Sequence, residues 1–234
     1  MTTDPRSSQP ASGPVLAIDV GTSSAKAALL DQTGAVLEDA QASLSTTRGP
    51  DGRMHQHLDD WQDAVRAVIA DCLRGNGSRS PAPSPLAAVS VTGQMQDLVL
   101  LDEHGRPTHP VVLYSDTHAR SELADLSRAN PTWAPSIAVS PPPGPDALPP
   151  KLLHVARTAL TAYAASRTVL FSAAGWVAHA LTGDAVCDRL TASTTGLYDP
   201  RTDDWIPLQS PDGTAPDTGP RSGPDPLVPA HLRL

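Results

Sequence analysis

Residues 16–31, LAIDVGTSSAKAALLD, carry the densest chemistry in the chain. An apolar run delivers an acid, Asp19, directly into a Gly-Thr-Ser-Ser turn, and a second apolar run leaves it. An ionised carboxylate at the end of an apolar strand is costly unless something cationic compensates it. Gly21 permits a tight turn and close approach of another group to the backbone. The amides and hydroxyls of Thr22, Ser23 and Ser24 can form an anion-binding concavity. An acid beside such a turn can hold a hydrated Mg²⁺ that bridges phosphate oxygens. Lys26, seven positions after Asp19, adds a positive charge. The same composition also suits a plain β-hairpin with a polar turn, and both readings stay open on these residues alone.

The other reactive side chains point to packing or solvent. Cys72 and Cys187 lie 115 positions apart with no C-x-x-C pattern, so neither a metal site nor a disulfide framework is expected of them, and they fit a reducing cytosol. His109, His154 and His179 read as packing or surface histidines, Asp199, Asp203 and Asp204 as a solvated turn, and Trp176 and Trp205 as core. A net charge of −8 and the lack of a basic stripe argue against a nucleic-acid partner. No apolar run reaches the roughly 18 residues of a membrane span, and the first residues do not resemble a signal peptide.

The 234 residues allow one large domain or two small ones. The 25 prolines punctuate them unevenly. Residues 1–14 read as a disordered leader, 78–85 as a loop, 131–150 as a long surface excursion, and 207–234 as a tail with no helical or strand period. The body between, 15–206, changes period in a readable order. VLAIDV (15–20), AKAALLD (25–31) and AVLEDAQASL (35–44) predict three strands joined by tight turns, an antiparallel meander. Trp61, Val65, Val68, Ile69 and Cys72 then share one face of a helix over 59–73, with Asp59 or Asp60 as N-cap and Gly75 as its stop. Strands are predicted at 86–93, 96–102, 108–116 and 168–171, and helices at 118–129, 151–163 and 172–183, the last ended by Gly183. Asp116 could cap the helix at 118. This order describes an α/β domain with a mixed sheet.

Four blocks in the same order resemble the FGGY carbohydrate kinases of the actin-like ATPase superfamily. LAIDVGTSSAKAALLD resembles their first phosphate motif. VSVTGQMQDLVLLDEHGRPTHPVVLYSD (89–116), LPPKLLHV (148–155) and LTGDAVCDRLTASTTGLYDPRTDDW (181–205) resemble three further segments of xylulokinases and their relatives. The resemblance implies an actin-like, ribonuclease-H-like fold whose N-terminal meander is flanked by helices. It implies that MgATP donates its γ-phosphoryl group to a hydroxyl of a small sugar or polyol. By resemblance Asp19 would hold the metal through water, Gly21, Thr22 and Ser23 would approach the phosphates, and Lys26 would neutralise charge. Gln94, Met95, Gln96 and Asp116 would serve the sugar. The sequence departs from the family pattern at Gln96, where ketose kinases usually carry histidine, and at Thr117–His118, where Gly-Arg is usual.

The resemblance also implies that the catalytic aspartate belongs to a Gly-rich segment opening the C-terminal half. No such segment is present in these residues. The expectation is therefore an N-terminal sugar-binding domain, inactive alone: a fragment, a truncated or frameshifted product, or half of a split enzyme that a separate C-terminal half completes. A non-catalytic sugar- or protein-binding module and a functionless remnant are the competing readings.

Overall fold

The computed structural model describes residues 13–74, 85–133 and 143–211. The expected leader up to residue 12, Gly75, the loop up to residue 84, residues 134–142 and the tail beyond 211 lie outside the described residues. Eleven strands are described: β1 (Val15–Val20), β2 (Ser24–Leu30), β3 (Val36–Ser43), β4 (Thr47–Arg48), β5 (Met54–Gln56), β6 (Ala88–Gly93), β7 (Met95–Leu101), β8 (Val111–Val112), β9 (Thr168–Ser172), β10 (Tyr198–Asp199) and β11 (Asp204–Trp205). Six described helices accompany them: α1 (Leu58–Arg74), α2 (Arg120–Ala129), α3 (Leu148–Thr158), α4 (Leu160–Ala165), α5 (Ala173–Thr182) and α6 (Arg189–Thr194). They divide into two compact units, residues 1–44 with 59–93, and residues 45–58 with 94–234.

The first unit is a four-stranded mixed sheet ordered β3-β2-β1-β6. The predicted meander forms: β1 pairs antiparallel with β2, and β2 with β3. β6 then runs parallel to β1, from Val15 beside Ala88 to Val20 beside Gly93. Strand alternation puts Leu16, Ile18 and Val20 of β1 and Ala25, Ala27 and Leu29 of β2 on the buried face. Helix α1 buries Trp61, Ala64, Val65, Val68 and Cys72 at helical spacing. It begins at Leu58, so Asp59 and Asp60 lie in its first turn and do not cap it. There they face the positive end of the helix dipole.

The second unit holds an antiparallel sheet ordered β4-β5-β8-β7-β9. Its core gathers Leu98, Leu100, Val112, Leu126, Trp133, Leu152, Tyr163 and Phe171. The indole of Trp133 donates to Gly196 O at 2.8 Å. Several sequence expectations are corrected here. The strand at 108–116 shrinks to Val111–Val112, because Pro110 precedes it and a turn at Tyr114–Ser115 ends it. The helix at 151–163 starts earlier and breaks at Ala159. Pro149 and Pro150 occupy its first turn, where no amide donor is required, so they belong to the helix and not to a surface excursion. Helix α2 has Ala119 at its N-cap without a side-chain cap, and Asp116 is used elsewhere. Asp199 is buried and paired with Arg201 at 2.7 Å. The short strands β4 and β5 and helix α6 lack a periodicity long enough to read. Helix α5 follows its expectation: the Ser172 hydroxyl accepts from the Gly175 amide, and Gly183 closes it in the left-handed conformation.

Trp61 is fully buried, whereas Val36 is 58% exposed. Trp61→Ala should destabilise the protein by about 3–5 kcal/mol in urea denaturation. Val36→Ala should stay within about 0.5 kcal/mol of the parent.

Candidate functional site

In the first unit, the Gly21 amide donates to Ser24 O at 3.0 Å and closes the turn between β1 and β2. The Leu44 amide, at the end of β3, donates to Ser23 O at 2.8 Å and ties the turn down. A Cβ on Gly21 would meet only Ser24 O, at an ordinary 3.5 Å. The turn therefore tolerates a side chain, and what glycine provides is bare backbone that another group can approach. Asp19 and Lys26 stand opposite each other in register, with Thr92 of β6 on the other side of Asp19. They line a depression of about 290 Å³ on the sheet, together with Ala17, Ala28 and Ser90. An acid, a base and small residues thus share one surface beside the hydroxyl-rich turn.

In the second unit, Gln94 precedes β7, Met95 and Gln96 open it, and the three side chains diverge. Gln94 is buried and donates from Nε2 to Gln56 Oε1 at 3.3 Å. Met95 is 39% exposed, and its sulfur accepts from the Thr191 hydroxyl at 3.5 Å. Gln96 has φ of 64°, a left-handed conformation that costs a non-glycine residue about 1–2 kcal/mol. The chain meets this cost through Lys151, whose side chain is completely buried in α3. Its ammonium donates to Gln96 O at 3.2 Å and to Leu113 O at 2.7 Å. One cation thus fixes the kinked backbone of β7 and the segment after β8.

Asp97 compensates that charge. It is fully buried, and its Oδ1 accepts from the Tyr114 amide at 3.0 Å. Burial pushes its carboxyl above the ordinary range, opposed by that amide and by the Lys151 charge. Burial pushes Lys151 down, and Asp97 opposes it. Neither residue stood out as functional in the sequence. The available signal was Lys151 itself: one of two lysines in the chain, set inside the apolar run LPPKLLHV.

Asp116 is also fully buried. Its carboxylate accepts from the Met54 amide at 2.8 Å, the His118 amide at 3.2 Å and the His118 ring, and lies 3.5 Å from His55 Nε2. Burial raises its pKa, but the nearby His55 ring and the hydrogen bonds from Met54 and His118 outweigh that and hold it at about 2. The expected sugar-serving residues therefore lie together in one unit, with Gln96 and Met95 accessible and Gln94 and Asp116 engaged by protein groups. The expected phosphate-serving residues lie together in the other.

Residues 14–208 match the model of the FGGY family of carbohydrate kinases, N-terminal domain. Autoinducer-2 kinase of Escherichia coli K12 is 30% identical over 200 residues, covering 82% of this chain and 36% of that protein. Xylulose kinase of Staphylococcus xylosus is 28% identical over 114 residues, 49% of this chain and 23% of that one. Among solved structures, a xyloylose kinase from Brucella ovis superposes with a TM-score of 0.71 at 28% identity, covering 82% of this chain and 39% of that one. Glycerol kinase of Plasmodium falciparum with ADP reaches 0.72 at 15% identity, a likeness of fold. The shared architecture is the actin-like, ribonuclease-H-like fold. This chain belongs to the FGGY family of carbohydrate kinases and corresponds to the N-terminal domain. It spans roughly a quarter to two fifths of the length of these relatives. Among the described residues no helix is long and apolar enough to cross a membrane.

Removing the donor that the Gln96 and Leu113 carbonyls share leaves buried acceptors unsatisfied, at a cost of about 1–3 kcal/mol. Lys151→Met should lose that much in chemical denaturation, and Asp97→Asn combined with it should recover part. Gln96→Gly should match or exceed the parent in stability, since glycine accepts φ of 64° without strain.

Proposed function

We propose that this chain is the sugar-binding domain of an ATP-dependent carbohydrate kinase whose acceptor is a ketose or polyol hydroxyl. The observation that supports it most is the strained, lysine-pinned Gln96 next to an exposed Met95, since backbone strain gathers where a ligand must be met in a set geometry. The Gln96 amide can donate to and accept from neighbouring hydroxyls. Met95 offers an apolar, polarizable surface to a sugar's C–H face. Gln94 and Asp116 position this segment, Gln94 through Gln56 and Asp116 through Met54 and His118. The name of one relative, xylulose kinase, fits a ketose acceptor.

Phosphate is proposed to meet the first unit. Bare backbone at Gly21 lets phosphate approach the turn beside Thr22 and Ser23, and Lys26 neutralises phosphate charge. The half-buried carboxylate of Asp19, beside hydroxyls and small residues, fits a hydrated divalent cation. Magnesium, where bound with ATP, would supply charge neutralisation between the phosphates. None of the residues assigned here is a general base. The chain alone is therefore expected to bind ligand without turnover, and a C-terminal kinase half is the proposed partner. A cytoplasmic location is part of the same proposal.

Calorimetry with a panel of ketopentoses and polyols tests the allocation. An open half-site orders its ligand without enclosing it, so affinity near the millimolar range, about 4 kcal/mol, is expected. Gln96→Ala should weaken binding by about 0.5–1.5 kcal/mol. Asp19→Ala should leave it unchanged, and Gly21→Ala should fold normally yet weaken phosphate binding. Loss of sugar binding in Asp19→Ala with retention in Gln96→Ala would overturn the scheme.

A further inference from the structure

The proposed sugar site uses Asp116 only for positioning and gives the histidines gathered around it no ligand role. Four histidines and two carboxylates gather where β5 meets the segment after β8 and helices α2 and α3. His55 packs against His109 and His118, with ring centroids 5.7 and 6.0 Å apart. His118 packs against His154 at 4.1 Å. Within this group, His55, Asp116 and His118 each offer one donor atom, and those atoms all lie within 4.8 Å of one another.

Hydrogen bonding does not use this group fully. The Nε2 atom of His55 is buried without a hydrogen-bond partner, and the Asp116 carboxylate faces it on one side and the Nδ1 atom of His118 on the other. The side chain of His118 is only 5% exposed and that of Asp116 is 0% exposed. A buried imidazole nitrogen with no partner is rare, and each such case asks for a reason. The 3.5 Å between His55 Nε2 and Asp116 Oδ2 is long for a hydrogen bond. It is close to the edge of a tetrahedron, about 3.3 Å, built on metal–ligand bonds of about 2.0 Å.

We propose that His55, Asp116 and His118 form a binding site for a divalent transition-metal ion, zinc in particular. Two imidazoles and a carboxylate are a donor set that suits zinc. Two further histidines pack on the ligand rings and are themselves anchored. His154 packs on His118 while its Nδ1 meets Glu122 Oε1 at 3.2 Å, which fixes that ring. His109 is anchored in the same way, its Nδ1 on Pro110 O at 2.7 Å. The site is structural in character: a bound ion would tie β5 to the segment between β8 and α2. Its ligands include nothing from the proposed phosphate turn.

The test uses the full chain, free of any affinity tag and stripped with a chelator. Zinc is titrated in competition with a chromophoric chelator, and cobalt(II) serves as a spectroscopic probe. One zinc per chain is expected, with a raised melting temperature and, for cobalt, the intense visible absorption of a four-coordinate ion. His55→Gln and His118→Gln should each weaken zinc at least about tenfold, and His104→Ala, an exposed histidine outside the cluster, should bind as the parent does. Should either variant fail to fold, the parent decides the matter: zinc must protect His55 and His118 from acylation by diethyl pyrocarbonate, read by peptide mass. Stoichiometry below one, a cobalt spectrum of the hexaaqua type, or unchanged affinity in folded His55→Gln and His118→Gln would overturn the proposal.

Discussion

A single buried ammonium organises the second unit. Lys151 has no water around it, so its charge must be met by protein. Two backbone carbonyls and the field of Asp97 meet it. Because those carbonyls belong to Gln96 and Leu113, the charge stitches β7, the β8 exit and α3 at one point. The left-handed backbone of Gln96 persists because the surrounding structure determines it from several sides. A hydrophobic residue at 151 could fill the volume but could not hold those carbonyls.

The first unit solves a different problem by different means. Two backbone hydrogen bonds hold its turn, Gly21 to Ser24 and Leu44 to Ser23. Asp19 and Lys26 share the surface beside that turn. The second unit puts polar side chains into its interior, and the first keeps them at the rim. That division matches the roles proposed for the two units, a neutral polyhydroxylated ligand for the second and phosphate for the first.

Much of this was legible in the chain, for identifiable reasons. The meander, α1 and β6 could be read because strand alternation and helical spacing persist over six residues or more there. The Asp19–Gly21 turn was legible because an acid at the end of an apolar strand is locally anomalous. The roles of Lys151, Asp97 and His55 were not. Each depends on a contact across many positions, Lys151 to Gln96 over 55 of them and Met54 to Asp116 over 62. No local period encodes such a pairing. Asp116 shows the same limit: its position before a helix suggested a cap, and the long-range partners Met54 and His55 claimed it. Pro149 and Pro150 misled in the other direction, because proline density reads as loop while a helix's first turn accepts it without loss.

Chemical-shift mapping tests the central division most directly. The backbone amides of the ¹⁵N-labelled chain are followed while a ketopentose is added, and separately while magnesium with a non-hydrolysable ATP analogue is added. The account predicts that the sugar moves Met95 and Gln96 and leaves Gly21–Ser23 in place. The nucleotide should do the reverse. Sugar-induced shifts confined to the Gly21 turn, or saturating concentrations of sugar that leave Met95 and Gln96 unmoved, would contradict it.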